Sequence, residues 1–213
     1  ERSNEILGRN KIFNREEAEK ALERRKINVL LNSIVQEISD QKISILNYSE
    51  IKEFDQDVVI WTAGVKPNLP YIEEQITQKD GRILVNEKFQ IPNCVNSFAI
   101  GDISIIKGME DLPLTAQVAM QQGNHLAKNI DLIFQEKDIL PFDFKDNGEM
   151  ISLGIGEASI SALGVTLSGR LAFEARRLIY ASKMPDISKS LKSTATWLFQ
   201  KKSYTNNFIN KKP

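Results

Sequence analysis

The segment VNSFAIGDISIIKGMEDLPLTAQVAMQQGNHLAKNI, residues 95–130, decides the predicted fold of this chain. Its apolar run at residues 98–100 predicts a short buried strand that ends at Gly101-Asp102. After a loop, Thr115 predicts the N-cap of a helix that continues to about Gln135. The side of this helix that we expect to face inward carries mostly small residues, namely Ala116, Ala119, Gly123 and Ala127. Strand and helix in this order predict an α/β architecture.

Asp102 stands at the carboxyl end of the predicted strand, the edge at which ligands of open α/β sheets bind. Its carboxylate can accept hydrogen bonds from sugar or polyol hydroxyls, and the nearby helix N-terminus favours negative charge. This combination suits a cofactor that is neutral when oxidised and anionic when reduced, such as a flavin. The alternative is an ordinary strand with a solvated aspartate beside a capped core helix. The expected geometry alone leaves both interpretations open.

Two motifs in this segment resemble a known family. The sequence Phe-Ala-Ile-Gly-Asp at residues 98–102 contains a Gly-Asp step that many flavin–pyridine nucleotide reductases share. The pattern Ala-Gln-x-Ala-x-Gln-Gln at residues 116–122 is more specific and resembles the type II NADH dehydrogenases, the single-subunit NADH:quinone oxidoreductases. The resemblance implies an α/β flavoprotein with two Rossmann-like dinucleotide-binding domains of the glutathione-reductase type. It also implies a carboxyl-terminal α+β region that anchors the protein to a membrane.

Composition removes several classes of protein. The 213 residues, 41% hydrophobic and 26% charged, are enough for one or two globular domains with a real core. Cys94 is the only cysteine, which excludes an internal disulfide and a Cys-pair redox centre. One histidine and one cysteine give no ligand set for a His/Cys metal site, so no metal is predicted. The sequence contains no run of about 18 apolar residues, the length that a membrane-spanning helix needs.

Positive charge is concentrated near the carboxyl end. Residues 169–213 contain ten Lys or Arg and two acids, whereas the whole chain has a net charge of zero. The pattern predicts two basic amphipathic helices, at residues 169–183 and 187–202, and disorder from Asn206 onward. Such helices suit the surface of a membrane, and the resemblance implies the same. The alternative is a helix pair that packs on its own protein with a solvated basic face. No nucleic-acid partner is predicted.

The amino-terminal third predicts a helix followed by strands. Residues 14–25 predict a helix capped by Asn14, and three strand-like runs follow at residues 27–35, 42–46 and 57–62. The last run ends in Thr62-Ala63-Gly64, which the resemblance places along an NADH site. Without the resemblance, the same residues predict only a tight turn that needs glycine.

The phosphate-binding motif G-x-G-x-x-G is absent from this sequence. Members of the resembled family carry two such loops, both upstream of the position that corresponds to residue 1. The sequence is therefore interpreted as the carboxyl-terminal part of a longer enzyme, and the fragment alone is expected to be inactive. We expect residues 1–66 to belong to the NADH-binding domain, residues 67–137 to the FAD-binding domain, and residues 138–213 to the membrane-association region.

The resemblance also implies roles for individual residues. The residues implied at FAD are Gly101, Asp102, Thr115, Ala116 and Gln117, and those implied at NADH are Glu1, Thr62, Ala63 and Gly64. The residues implied at a quinone are Gln117, Met120, Gln121 and Tyr180. No residue is predicted to act as a catalytic acid or base. The implied cofactor is FAD, with NADH as the substrate.

The predicted function is therefore transfer of electrons from NADH to a membrane quinone without proton pumping, in respiratory or photosynthetic electron transport. The resemblance implies a peripheral membrane protein on the cytoplasmic face, or on an organellar inner or thylakoid membrane, and homodimerisation. Two alternatives stay open. The first is a soluble FAD- and NAD(P)H-dependent reductase of a protein or small-molecule acceptor. The second is a non-enzymatic interaction module with a basic tail.

Overall fold

Residues from both ends of the chain build the first of two structural units. The computed structural model describes residues 1–69, 76, 81–94, 96–184 and 186–199, without the side chains at positions 187, 193 and 197–199. The first unit comprises Glu1–Val59 and the described part of Asn147–Pro213, and the second comprises Ile60–Asp146. This division by packing does not follow the three functional regions expected from the sequence, whose assignment stays a prediction.

The first unit begins with helix α1 (Ile12–Arg24) and a three-stranded antiparallel sheet. Strands β1 (Ser33–Ile38), β2 (Lys42–Asn47) and β3 (Glu50–Asp55) follow one another in sequence and in space. The pairs Ile38–Ile43 and Ile43–Phe54 place three apolar side chains in one cross-strand row. This row holds the sheet register, because a shift by one residue would turn the apolar side chains to the other face.

The second sheet of this unit is formed near the carboxyl end. Strands β6 (Glu149–Gly154), β7 (Glu157–Ala162) and β8 (Val165–Ser168) are antiparallel, and helices α3 (Gly169–Ser182) and α4 (Ile187–Phe199) follow. Helices α1 and α3 both pack against β7. The small core of this sheet is built on Ala158, Ile160 and Ala172.

The second unit contains the segment that decided the sequence-based prediction. Strands β4 (Ile83–Val85) and β5 (Ser104–Ile106) pair in parallel, and helix α2 (Ala116–Phe134) follows. A short 3₁₀ helix (Gly101–Ile103) packs on α2. The core is formed by Ile83, Val85, Phe89, Ala99, Ile106 and Phe142. The α/β fold predicted from the sequence is therefore confirmed.

Two predicted strands are wrong. Residues 98–100 form no strand; only an isolated antiparallel bridge joins Gln90 to Phe98, although Ala99 is buried. Residues 57–62 also form no strand, and Ile60 and Trp61 are 81% and 62% exposed. An apolar run becomes a strand only where neighbouring backbone completes a ladder of hydrogen bonds. Residues 98–100 have only isolated backbone bonds, such as that from the N–H of Ala99 to the carbonyl of Phe89 at 3.1 Å, and no ladder is described for residues 57–62. The run at residues 27–35 yields a strand only from Ser33 onward.

The predicted helices are correct in place but differ in detail. Helix α1 begins at Ile12, so Asn14 is not its cap but a fully buried residue within the helix. Helix α2 has Thr115 as its N-cap, as predicted, and ends at Phe134. Of the four small residues expected on its inward face, Ala119 and Gly123 are partly buried, but Ala116 and Ala127 are exposed.

The buried positions of α2 are Val118, Gln122 and Asn129, whereas Ala116 and Ala127 are exposed. The inward face is therefore selected by hydrogen bonds as well as by apolar packing. Asn129 shows this, because its amide binds the backbone of Leu140 through both its Nδ2 and its Oδ1.

The sequences at residues 150–153 and 159–162 also predict short strands, and these residues lie in β6 and β7; β8 is not predicted from the sequence. Both predicted carboxyl-terminal helices are present as α3 and α4. The disorder predicted from Asn206 onward lies outside the described residues. None of the helices in the described part of the chain is both long and apolar enough to cross a membrane.

Candidate functional site

Asp102 projects from a turn in which glycine is required. Gly101 has φ +76°, a left-handed conformation that residues with a Cβ rarely adopt. Space is not the constraint, because a Cβ placed there would lie 3.8 Å from the Cβ of Ala119, an ordinary contact. The turn begins the 3₁₀ helix and leaves the side chain of Asp102 exposed. A solvent-facing carboxylate therefore stands beside helix α2.

Two buried side chains hold the peptide groups of Gly101. Its backbone N–H donates to Oε1 of Gln122 at 2.6 Å, and its carbonyl oxygen accepts from Oγ of Ser104 at 3.0 Å. Gln122 and Ser104 are only 3% and 6% exposed. Buried polar groups are normally paired in this way, since an unpaired one loses its hydration without compensation.

The loop between β5 and α2 closes one side of a small cavity beside Asp102. Within this loop, Oε1 of Glu110 accepts a hydrogen bond from the backbone N–H of Gly108 at 2.9 Å, which lowers the pKa of the Glu110 carboxyl. The lining of the cavity includes Arg82, Asp102, Glu110, Leu112, Leu114 and Gln122. Its volume of about 20 Å³ holds no more than a water molecule. A larger ligand would have to lie across the exposed surface.

The amino-terminal end of α2 is open to solvent next to this turn. Oγ1 of Thr115 accepts a hydrogen bond from the N–H of Val118 at 3.4 Å, and Thr115 and Ala116 are exposed. The end of the helix therefore presents its positive dipole and small side chains to solvent.

The residues that the resemblance implies at a quinone differ in their surroundings. Gln117 is partly exposed and Met120 is exposed, one turn apart on α2. The amide of Gln121 binds the backbone of Lys145, donating to its carbonyl at 2.8 Å and accepting from its N–H at 3.1 Å. Tyr180 belongs to the first unit, where the guanidinium carbon of Arg176 lies 4.6 Å from its ring centroid.

The residues implied at NADH lie in both units. Glu1, in the first unit, accepts a hydrogen bond from the backbone N–H of Ser3 at 3.0 Å, and this bond is the largest cause of its lowered pKa. Thr62, Ala63 and Gly64, in the second unit, form an exposed segment without regular structure, and Gly64 has φ +107°.

Helix α3 presents an apolar surface together with its basic residues. Ala172 is buried against the sheet, whereas Leu171 and Leu178 are 72% and 58% exposed. Seven residues apart, these two leucines share one face of the helix. Arg177 is paired with Glu174 at 3.0 Å.

Residues 1–123 match the sequence family described as pyridine nucleotide-disulphide oxidoreductase. The chain belongs to this pyridine nucleotide-disulphide oxidoreductase family. The match covers more than half of the chain and includes Gly101, Asp102 and the start of α2. Members of the family bind FAD and a pyridine nucleotide. Binding of either by this chain is a proposal.

Individual relatives within the pyridine nucleotide-disulphide oxidoreductase family carry more specific names. The chain is 31% identical to demethylphylloquinone reductase NdbB of Synechocystis sp. over 201 residues, which cover 93% of this chain and 50% of that protein. It is 31% identical to the alternative NAD(P)H-ubiquinone oxidoreductase C1 of Arabidopsis thaliana, over 86% of this chain and 40% of that protein. It is 33% identical to a type II NADH:quinone oxidoreductase of Staphylococcus saprophyticus, over 61% of this chain and 33% of that protein.

Solved structures give the same picture of the fold. NDH2 from Plasmodium falciparum, in complex with NADH, matches with a TM-score of 0.78 at 16% identity, over 93% of this chain and 56% of that one. The sulfide:quinone oxidoreductase from Aquifex aeolicus matches with a TM-score of 0.61 at 16% identity, over 87% of this chain and 49% of that one. The resemblance to type II NADH:quinone oxidoreductases is confirmed. The chain spans half or less of the length of these sequence relatives.

The groups around Asp102 are chemically suited to the FAD of the pyridine nucleotide-disulphide oxidoreductase family. An exposed carboxylate is a suitable acceptor for polyol hydroxyls, and the exposed, small-residue end of α2 allows close approach by a flat ring. The sequence analysis missed Gln122 and Ser104 in this region. A signal did exist, because Gln122 lies four residues after Val118 on the same face of α2, where an apolar residue would be expected.

Proposed function

We propose that this chain forms the carboxyl-terminal part of a type II NADH:quinone oxidoreductase and supplies one side of its FAD site. One observation carries the proposal: the exposed carboxylate of Asp102 follows a left-handed Gly101 on a turn that packs beside the Thr115-capped helix. In this proposal, residues 1–66 serve NADH binding, residues 67–137 serve FAD binding, and residues 138–213 associate with the membrane.

The chain contributes binding and electrostatics. Asp102 accepts hydrogen bonds from hydroxyls of the ribityl chain, while Thr115, Ala116 and Gln117 lie at the pyrimidine edge of the ring. There the positive end of α2 favours the reduced flavin ring, which carries more negative charge than the oxidised one. The chemistry that FAD supplies when bound is transfer of two electrons from NADH to the acceptor.

Gln117 is proposed to contact the quinone. A neutral amide can donate to a quinone carbonyl oxygen without placing a charge in an apolar site. Gln121 is proposed to contact the quinone too, and in the described arrangement its amide binds the backbone of Lys145. Met120 can make apolar contact with the quinone but cannot donate a proton. Tyr180, in the first unit, is a further candidate from the family resemblance.

The NADH side is proposed to involve Glu1, Thr62, Ala63 and Gly64. A glutamate whose pKa is lowered by the N–H of Ser3 is ionised at neutral pH and can accept hydrogen bonds from ribose hydroxyls. The exposed backbone of Ala63 and Gly64 allows close approach of a planar group, because these residues are small.

Association with a membrane surface is supported by helix α3 and the charge of the carboxyl-terminal segment. Exposed Leu171 and Leu178 would enter the apolar boundary of the bilayer. The excess of Lys and Arg between residues 169 and 213 would be attracted to anionic headgroups.

The decisive experiment measures NADH oxidation by the complete product of the gene that encodes this chain, with and without a short-chain quinone. The variants are Gln117→Ala and, as a matched control at an exposed position on the same helix, Asn124→Ala. We expect quinone-dependent turnover to fall about tenfold or more in Gln117→Ala while reduction of the flavin by NADH persists. The control should behave as wild type.

Two other results would replace the proposal. Turnover that ignores the quinone in the wild type would identify a soluble reductase of another acceptor. A gene product without flavin would favour a non-enzymatic module. The residues 1–213 alone, which contain neither G-x-G-x-x-G loop, are expected to bind FAD weakly and to oxidise no NADH. Full activity of this polypeptide alone would contradict its interpretation as one part of the catalytic fold.

A further inference from the structure

Gly101 is held from two sides by side chains that the solvent does not reach. Its N–H donates to Gln122 of helix α2 and its carbonyl accepts from Ser104 at the start of β5. These two elements follow the turn in the sequence: α2 supplies the acceptor for the N–H, and Ser104 supplies two donors to the carbonyl, its Oγ and its backbone N–H. Together they fix the peptide groups on both sides of a left-handed residue.

We infer that Gln122 and Ser104 are positioning residues, which orient the turn at Gly101 so that the carboxylate of Asp102 is in place before a flavin binds. This inference rests on the proposed function, since it assumes that Asp102 accepts hydrogen bonds from FAD. Neither residue belongs to the set implied by the family resemblance.

The side chain of Asp102 is exposed, so the backbone of the turn sets the direction of its Cα–Cβ bond. Glycine at φ +76° has a wide range of accessible conformations, so the sequence alone does not fix the turn. The two buried hydrogen bonds remove this freedom, and rotation of the Gly101 peptide would leave buried polar groups unpaired. A ligand that meets a fixed carboxylate loses less entropy on binding than one that must order the turn itself.

Asn129 provides a matched comparison. It lies on the same helix, is buried like Gln122 and also binds backbone through its amide, but its partner is Leu140 instead of Gly101. Removal of its amide therefore perturbs α2 without releasing the turn.

The experiment compares Gln122→Met, Ser104→Ala and Asn129→Leu in the complete gene product. The readouts are the Kd for FAD and the visible circular dichroism of bound flavin, which reports its local environment. Gln122→Met removes the acceptor at nearly constant volume, and we expect the Kd to rise about tenfold with an altered dichroism. Asn129→Leu should stay within about threefold of wild type, because the turn keeps both of its hydrogen bonds.

Wild-type FAD affinity and dichroism in both Gln122→Met and Ser104→Ala would overturn the inference. An equal loss in Asn129→Leu would also overturn it, because the effect would then come from α2 in general. If Gln122→Met does not fold, Ser104→Ala decides, since loss of one hydroxyl leaves the packing almost unchanged.

Failure of the proposed function gives a different pattern. The wild-type gene product would then bind no FAD, and the turn is tested by the ¹H–¹⁵N resonances of Gly101 and Asp102 in the complete gene product. Gln122→Met should shift both amide resonances, whereas Asn129→Leu should leave both in place. Unshifted resonances in Gln122→Met would show that this side chain does not hold the turn.

Discussion

Asn14 and Glu149 are hydrogen bonded although 135 residues separate them: Nδ2 of Asn14 donates to Oε1 of Glu149 at 2.9 Å. The same carboxylate accepts from Nδ2 of Asn10 at 3.0 Å and from the backbone N–H of Lys11, the N-cap residue of α1. Lys11 has no side-chain cap of its own. The carboxylate of Glu149 therefore caps the first turn of a helix that is remote from it in sequence.

Glu149→Ala should lower the free energy of unfolding by about 2 kcal/mol, because it removes a charged acceptor from three donors and uncaps α1. Native-state hydrogen exchange measures this change residue by residue, and the amides of α1 and β6 should lose the most protection. Glu53→Ala is the control, since its pair with Lys42 is exposed and screened by solvent and should contribute much less. Equal losses in the two variants would contradict the capping role.

Gly148→Ala should destabilise the first unit far more than Gly164→Ala. Both glycines have positive φ, +98° and +78°, so each substitution introduces backbone strain of about 1 kcal/mol or more. A Cβ at position 148 would also lie 2.5 Å from the Cβ of Ala162, whereas one at position 164 meets nothing within 4 Å. Urea denaturation followed by circular dichroism measures both effects. Comparable midpoints would show that Ala162 moves aside easily.

Glu110 should titrate below the ordinary glutamate pKa. The N–H of Gly108 hydrogen bonds to its carboxylate and is the largest cause of the lowering. A pKa lower in the folded state than in the unfolded one adds stability above the unfolded value, and this stability is lost as the pH falls through the folded value. Carbon NMR of the Glu110 carboxyl gives the midpoint, and the Gly108 amide resonance should follow it.

Lys107→Ala tests the assigned cause, since the charge of Lys107 is a smaller contribution than the hydrogen bond. The midpoint should rise only slightly in this variant. A return to the ordinary glutamate value would mean that charge, and not the hydrogen bond, lowers the pKa of Glu110.

Leu178→Glu should weaken association of the complete gene product with vesicles of mixed zwitterionic and anionic lipid. The substitution removes one exposed leucine from the apolar face and adds a negative charge. It should therefore lower the partition coefficient for the vesicles about tenfold. Co-sedimentation measures this fraction. Leu140→Glu, at another exposed leucine, is the control. Equal effects of the two substitutions would argue against α3 as the membrane contact.

Local chemistry explains what the sequence predicted well. Thr115 caps α2 with its own side chain, so its role follows from residue type and position. The β6–β7 pair and the start of α3 likewise depend on neighbours in the sequence. Asp102 was singled out because it follows an apolar run and a glycine, and it is exposed beside α2.

Remote partners explain what the sequence did not predict. Asn14 was assigned as a cap because asparagine favours that position, but its hydrogen bonds are to Glu149 and Ser159. Gln122 is buried because its partner Gly101 lies 21 residues earlier. Residues 57–62 and 98–100 have strand-like sequences, but strand formation depends on neighbouring backbone that no local pattern contains. The roles of the individual site residues stay predictions.

The discontinuous first unit sets an order of events during translation. Residues 60–146 form a continuous unit that can fold as soon as it leaves the ribosome, whereas α1 must wait for Glu149. At about 5–20 residues per second, the ribosome needs roughly ten seconds to make the intervening chain. During this interval α1 lacks its cap and the sheet on which it packs, and is therefore open to chaperones and proteases. Slowing translation before residue 149 should prolong that exposure and leave the central unit unaffected.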